Sequence, residues 1–157
     1  MTIAVVNYLR FKNRAGAYQG GYDFQNFFVG ESKTRSGAAH IYAPFGITTG
    51  AGAKGGDRSD ASIIAPTDPI PVNLFVEACQ QNWLAEITSV LLDPLTYAEV
   101  QQISQESWVC ARPDLTPERA VLRLASPLDA VDSQIPKRTL SSRLVGSLPA
   151  TGSISVS

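Results

Sequence analysis

The chain alternates short apolar stretches with polar and glycine-rich ones, and only one stretch carries helical spacing. Residues 3–11 (IAVVNYLRF) are rich in β-branched and aromatic side chains, which suit a pleated, half-buried surface, and predict a first strand. Ten of the twelve glycines then fall between Gly16 and Gly56, interleaved with Tyr18, Tyr22, Phe24, Phe27, Phe28, Tyr42 and Phe45. Glycine supplies turns and aromatics supply buried area, so short strands are expected near 22–29 and 39–47, with a flexible loop over 48–59. Asp68-Pro69-Ile70-Pro71 reads as stiff and extended. Beyond it Val76, Cys79 and Trp83 share one helical face, extended by Leu74 and Ala78. This predicts one short helix over 73–82, with Asn73 as its N-cap.

Strand-like alternation returns at 83–92 (WLAEITSVLL), closed by a turn at Asp93-Pro94, then at 98–103 and 106–112. RPDLTP reads as a loop, from which 119–126 returns antiparallel with Ala120, Leu122 and Leu124 on one side. Thr116-Pro117-Glu118 could alternatively open a helix. Pro127 removes a ladder donor and ends regular structure; a second proline, Pro136, delivers Lys137 and Arg138 on an extended backbone. The expected fold is mainly β with one short helix (α+β), a compact antiparallel β-barrel or sandwich-like domain. It would span 1–146, with a polar C-terminal tail over 147–157.

Composition sharpens this picture. A chain of 157 residues is one domain by length, and its 44% hydrophobic content argues for a folded core. Charged residues make up 17%, below the usual quarter, which suits a surface partly covered by partners. The net charge of −1 gives no global pull towards nucleic acid or an anionic membrane. Its distribution is uneven: +4 over residues 1–58, −8 over 59–136, and +3 over the last stretch. Such segregation suits copies or neighbours meeting through complementary faces. Cys79 and Cys110 are too few for a disulfide scaffold and lack metal-site spacing; they read as small buried hydrophobes, a single disulfide between them staying open. The run Ile3–Val6 is too short for the apolar part of an export signal, and no window approaches the ~18 apolar residues of a membrane span. A soluble protein is expected.

Catalytic signatures are weak. Gly50-Ala51-Gly52-Ala53-Lys54-Gly55 matches G-x-G-x-x-G in letters, yet no βαβ unit surrounds it, and Lys54 is followed by Gly55 where a phosphate loop has Ser or Thr. His40 is the single histidine, which excludes multi-histidine metal sites, and no serine sits in a nucleophile setting. The carboxylate pairs Asp57/Asp60 and Asp129/Asp132 read as solvated loop residues, and Trp83 and Trp108 as core. No catalytic residue, cofactor or metal is assigned.

Leu124-Ala125-Ser126-Pro127-Leu128-Asp129, followed by Pro136-Lys137-Arg138, resembles the L-x-S-P-L-D … P-R-R signature of phage tail-tip proteins, the lambda-like minor tail protein L and related hub and baseplate proteins. The strand ending in Leu92-Asp93-Pro94 and the Trp108-Val109 strand agree with it, and the likeness covers roughly 60–146. It implies a compact β-rich domain in a ring of three or six copies around the tail axis, linking the tail tube end to the central hub. Such a protein would be made in the host cytoplasm and reside in the virion. In that family a cysteine-bearing segment with an iron–sulfur cluster follows the basic motif; here no cysteine follows Cys110, so the cluster is not carried over. Under this resemblance Pro127, Leu128, Asp129, Pro136, Lys137 and Arg138 form an interface, with Lys137-Arg138 gripping acidic groups of a neighbour. The 48–59 loop and the tail would order on assembly. The competing expectation is a β-rich carbohydrate-binding module or small hydrolase, using exposed aromatics among 18–45 and loop carboxylates.

Overall fold

A computed structural model describes residues 2–49 and 61–127. Nine strands and one helix follow in the order β1 (Ala4–Lys12), β2 (Tyr18–Gln25), β3 (Lys33–Arg35), β4 (Ala38–Tyr42), β5 (Gly46–Thr49), β6 (Ala61–Ala65), α1 (Pro69–Gln80), β7 (Leu84–Leu92), β8 (Glu99–Leu115) and β9 (Ala120–Ala125). All nine strands belong to one mixed sheet in the order β3-β4-β2-β1-β7-β8-β9-β6-β5, which does not close. The mainly β, one-helix class expected above is the observed one. Every pairing is antiparallel except β2 with β4.

The sheet curls around a core formed by Leu9 and Phe11 of β1, Phe24 of β2, Ile63 of β6, Ile87 of β7, Cys110 of β8 and Leu122 of β9. Helix α1 lays Leu74, Phe75 and Ala78 on this core, against β8 and β9. Burying a side chain of that size stabilises the fold by about 1.5–3 kcal/mol, so the helix is held by its apolar stripe. The opposite face carries a smaller cluster of Val6, Tyr8, Val90 and Leu92, capped by Phe27.

Several boundaries differ from the sequence expectation. The helix begins at Pro69 and not at 73, so the segment expected to be stiff and extended is its first turn. Pro69 and Pro71 fit there because first-turn amides have no helical acceptor to lose. Asp68 is the N-cap, through its carbonyl, which accepts the first helical bond from Val72 N at 3.2 Å. The helix ends in a Schellman turn: Asn82 adopts φ 51°, Trp83 N donates to Ala78 O at 2.9 Å and Asn82 N to Cys79 O at 3.2 Å. That consumes the Trp83 amide, so the next strand starts one residue later than expected, at Leu84.

Strand 22–29 is observed as Tyr18–Gln25, and 39–47 divides into β4 and β5 around Ala43-Pro44-Phe45. The β3–β4 hairpin and β6 were not anticipated. Thr48, expected to open a loop, lies in β5. The two strands at 98–103 and 106–112 merge, with the first part of the RPDLTP stretch as far as Leu115, into one 17-residue strand, β8. Pro113 is tolerated because it lies beyond the last β7 pairing, Leu84↔Val109, and faces only β9, at Leu122. The tight turn from β8 to β9 is closed by Thr116, whose N–H and hydroxyl both donate to Arg119 O at 3.0 Å, so the alternative helix there does not form. In β9, Ala120, Leu122 and Leu124 point inward as expected.

Both cysteine thiols are free. Burial pushes the Cys79 thiol up to about 11 and the Cys110 thiol higher still, the latter also raised by its neighbour Cys79. Trp83 and Trp108 are buried, in line with a core role.

Candidate functional site

Strand β8 changes partners along its length. From Glu99 to Val109 it pairs with β7, and from Val109 to Leu115 with β9. Before Val109, therefore, the edge of β8 that faces away from β7 meets no strand among the described residues. Such an edge carries unpaired main-chain N–H and C=O groups, a template for another strand. The sequence there, EVQQISQES, is polar at both parities and exposed almost throughout. Two bulges, where the register slips between Ser89/Val90 and Leu91/Leu92, leave the extra residues Ile103 and Val100 on β8. These two apolar side chains are 51% and 50% exposed, and Leu95 in the preceding turn is 89% exposed. Glu99 and Glu106 lie on the same stretch, and no lysine or arginine occurs between Leu84 and Ala111. Glu106 accepts the Trp108 indole N–H at 3.1 Å through Oε2. The surface is thus an acidic, partly apolar strand edge.

The β3–β4 hairpin folds over one face of this same region. Five strand positions separate β3 from β8 in the sheet order, a distance of roughly 24 Å in a flat sheet, yet Arg35 Nη2 donates to Gln102 Oε1 at 2.7 Å and its Nε lies 3.2 Å from Glu99 Oε1. The edge must therefore roll back across β1 and β7. The turn is a two-residue loop in which Ser36 and Gly37 have φ 51° and 76°, as the twist of a tight hairpin requires.

Beneath the hairpin lies a polar cavity of about 120 Å³, lined by Tyr8, Arg10, Arg35, His40, Glu86 and Thr88 among others. Its charges are internally paired: Arg10 Nε with Asp23 at 2.6 Å, Lys12 with Glu86, Arg35 with Glu99. Tyr18 closes one side, its hydroxyl donating to Glu86 at 3.1 Å while the Arg10 guanidinium stacks 3.5 Å above its ring. Burial pushes the Glu86 carboxyl up, but Lys12, Gln105 and Tyr18 together outweigh it and hold it below the usual carboxylate range. His40 packs edge-on to Tyr8 at 4.9 Å, donates Nδ1–H to Ala38 O, and is held neutral chiefly by burial. The space suits a few ordered waters and is well short of the ~300 Å³ of an ordinary ligand pocket. It reads as a polar seam that fixes the hairpin. A second, apolar cleft of about 70 Å³ lies between α1 and the sheet, beside Phe45, Ile63, Ile70 and Leu74.

Part of the charge segregation seen in the sequence is consumed inside the fold, since Lys12–Glu86 and Arg35–Glu99 join the basic first third to the acidic middle. Of the anticipated interface residues, Pro127 is exposed just after β9 ends at Ala125. Leu128, Asp129, Pro136, Lys137 and Arg138 lie outside the described residues, as do the 50–55 glycine motif, Asp57, Asp60, Asp132 and the tail. Among the described residues no group of three or more His, Cys, Asp or Glu could hold a metal ion, and no helix is long and apolar enough to cross a membrane. The exposed aromatics Tyr18 and Tyr97 are each engaged, the former with Glu86 and Arg10 and the latter with Phe28 at 4.5 Å. The open β8 edge escaped the sequence reading, although its two-sided polarity was the available signal. No protein-family model matches the chain, and no curated protein matches it.

Proposed function

We propose that this chain is a non-enzymatic structural component of a bacteriophage tail tip or baseplate, a β domain that packs with copies of itself in a ring of three or six and joins the tail tube end to the central hub. The observation that carries this reading is the edge of β8 from Glu99 to Trp108, which meets no strand among the described residues and is flanked by exposed Val100, Ile103 and Leu95. Extending a sheet across a subunit boundary satisfies such an edge with main-chain hydrogen bonds and covers the apolar residues beside it. The resemblance of Leu124–Asp129 and Pro136–Arg138 to the tail-tip signature supplies the setting. Lys137 and Arg138 serve as a clamp on acidic groups of a neighbour, and Pro127 and Pro136 restrict the connection that presents them.

Light scattering on the purified full-length chain, with negative-stain imaging of the same sample, tests the ring. Closed rings of three or six copies are expected; a chain that stays monomeric at every concentration would sink the reading. Antibodies against the chain should decorate the tail end of phage particles, and particles left unlabelled would remove the virion assignment.

A further inference from the structure

We infer that the open edge of β8 seats the C-terminal segment Lys137–Val145 of a second copy as an added strand. This rests on the ring reading above and names the joint that closes it. The edge runs from Glu99 to Trp108 within a stretch, Leu84–Ala111, that holds no lysine or arginine. Glu99 already holds Arg35, and Glu106 holds the Trp108 indole through Oε2, so two carboxylates stand along the edge. An occupant should therefore be basic, free of proline and able to cover Val100 and Ile103. The segment KRTLSSRLV, residues 137–145, has three cations and the apolar residues Leu140, Leu144 and Val145, with no proline or acid.

The geometry of the exit favours a neighbour as donor. Ala125, the last residue of β9, pairs with Val109, where the free edge begins, so the C-terminal part of the chain leaves the described fold beside that edge. Direct continuation along the edge is opposed twice. Pro127 has no N–H to give, and the residues that follow immediately carry Asp129 and Asp132, like in charge to Glu99 and Glu106. The basic segment begins ten residues after Pro127, far enough along the chain to be offered to a second copy.

The test places Ile103→Cys and Leu140→Cys together in the full-length chain and oxidises it gently; the native thiols, half-buried and buried, are controlled by each single variant. Expected are covalent multimers on a non-reducing gel that neither single variant gives. Glu106→Lys should weaken association about tenfold, and added salt should weaken the unmodified protein in the same direction. A crosslink confined within one chain would overturn the inference, since the segment would then fold back on its own sheet. Rings that form without the crosslink would overturn it too while leaving the ring reading intact, and a monomer at every concentration would overturn both.

Discussion

Replacing Gln25 by leucine tests how the second face of the sheet is held. Gln25 is wholly buried at the end of β2, and its amide forms four bonds to the loop that follows. Oε1 accepts from Phe27 N at 2.9 Å and Phe28 N at 2.6 Å, while Nε2 donates to Phe28 O at 2.7 Å and Glu31 O at 3.2 Å. Leucine fills a similar volume but offers no partner, so the loss is almost purely polar. At about 1 kcal/mol per bond, and with the half-exposed loop partly recovering water, the expected cost is about 3 kcal/mol. That is a large share of a typical stability, and corresponds to a fall in Tm of roughly 10 °C. Urea unfolding followed by tryptophan fluorescence would measure it, Trp83 and Trp108 being buried reporters. Gln25→Glu should cost as much at neutral pH, because a carboxylate would face two carbonyls, and should recover partly in acid when it can donate one bond. A leucine variant within 1 kcal/mol of the unmodified chain would refute the staple.

Further outcomes follow from other contacts. Glu86 has a folded pKa below its unfolded value, so its contribution is present above the ordinary carboxylate range and lost as pH falls through the folded pKa. Urea midpoints measured downwards from pH 6 should fall more steeply for the unmodified chain than for Glu86→Gln; parallel curves would dismiss the Lys12–Glu86–Tyr18 cluster as a source of acid sensitivity. With its thiol raised to about 11, Cys79 should alkylate at pH 8 about a hundredfold more slowly than free cysteine, and Cys110 should react only on unfolding. Mass spectrometry after timed iodoacetamide labelling would decide, and rapid native labelling of both would contradict the burial. Ser36→Asn should stabilise the β3–β4 hairpin by about 0.5 kcal/mol by giving the turn its preferred Asn-Gly pair. Gly37→Ala should cost about 1 kcal/mol from φ alone, since nothing lies within 4 Å of the added methyl. Equal midpoints for both variants would argue against the turn geometry.

What the sequence revealed depended on how each element is buried. β9 was legible because one face is wholly inside and Ala120, Leu122 and Leu124 keep strict alternation. β7 was legible in extent and facing, with Ala85 and Ile87 towards the main core and Glu86 and Thr88 opposite, but not in burial, because the rolled-back hairpin covers the second face as well. That roll-over could not be foreseen, since KTRSGAAH carries no apolar period and its register is set by Arg35 and His40 reaching across the sheet. β8 reads as ending at Arg112 because Pro113 normally breaks a strand, and its position beyond the end of β7 makes it harmless; the gap expected at 104–105 is instead continuous strand beside the bulge at Ile103. The helix start was misplaced because two prolines read as extended chain until the first-turn exemption is applied. Lys137-Arg138 stand out in the sequence as adjacent cations, whereas the acidic β8 edge emerges only from the pairing, where one strand serves two neighbours in succession.

Amide hydrogen exchange across Glu99–Ser107, compared between dilute and concentrated full-length protein, tests the central claim most directly. If subunits join by extending the sheet at β8, the outward-facing amides should exchange at least about tenfold more slowly in the concentrated sample, while β1 and β7 stay unchanged. Equal exchange at both concentrations would leave the β8 edge open to water and contradict the account.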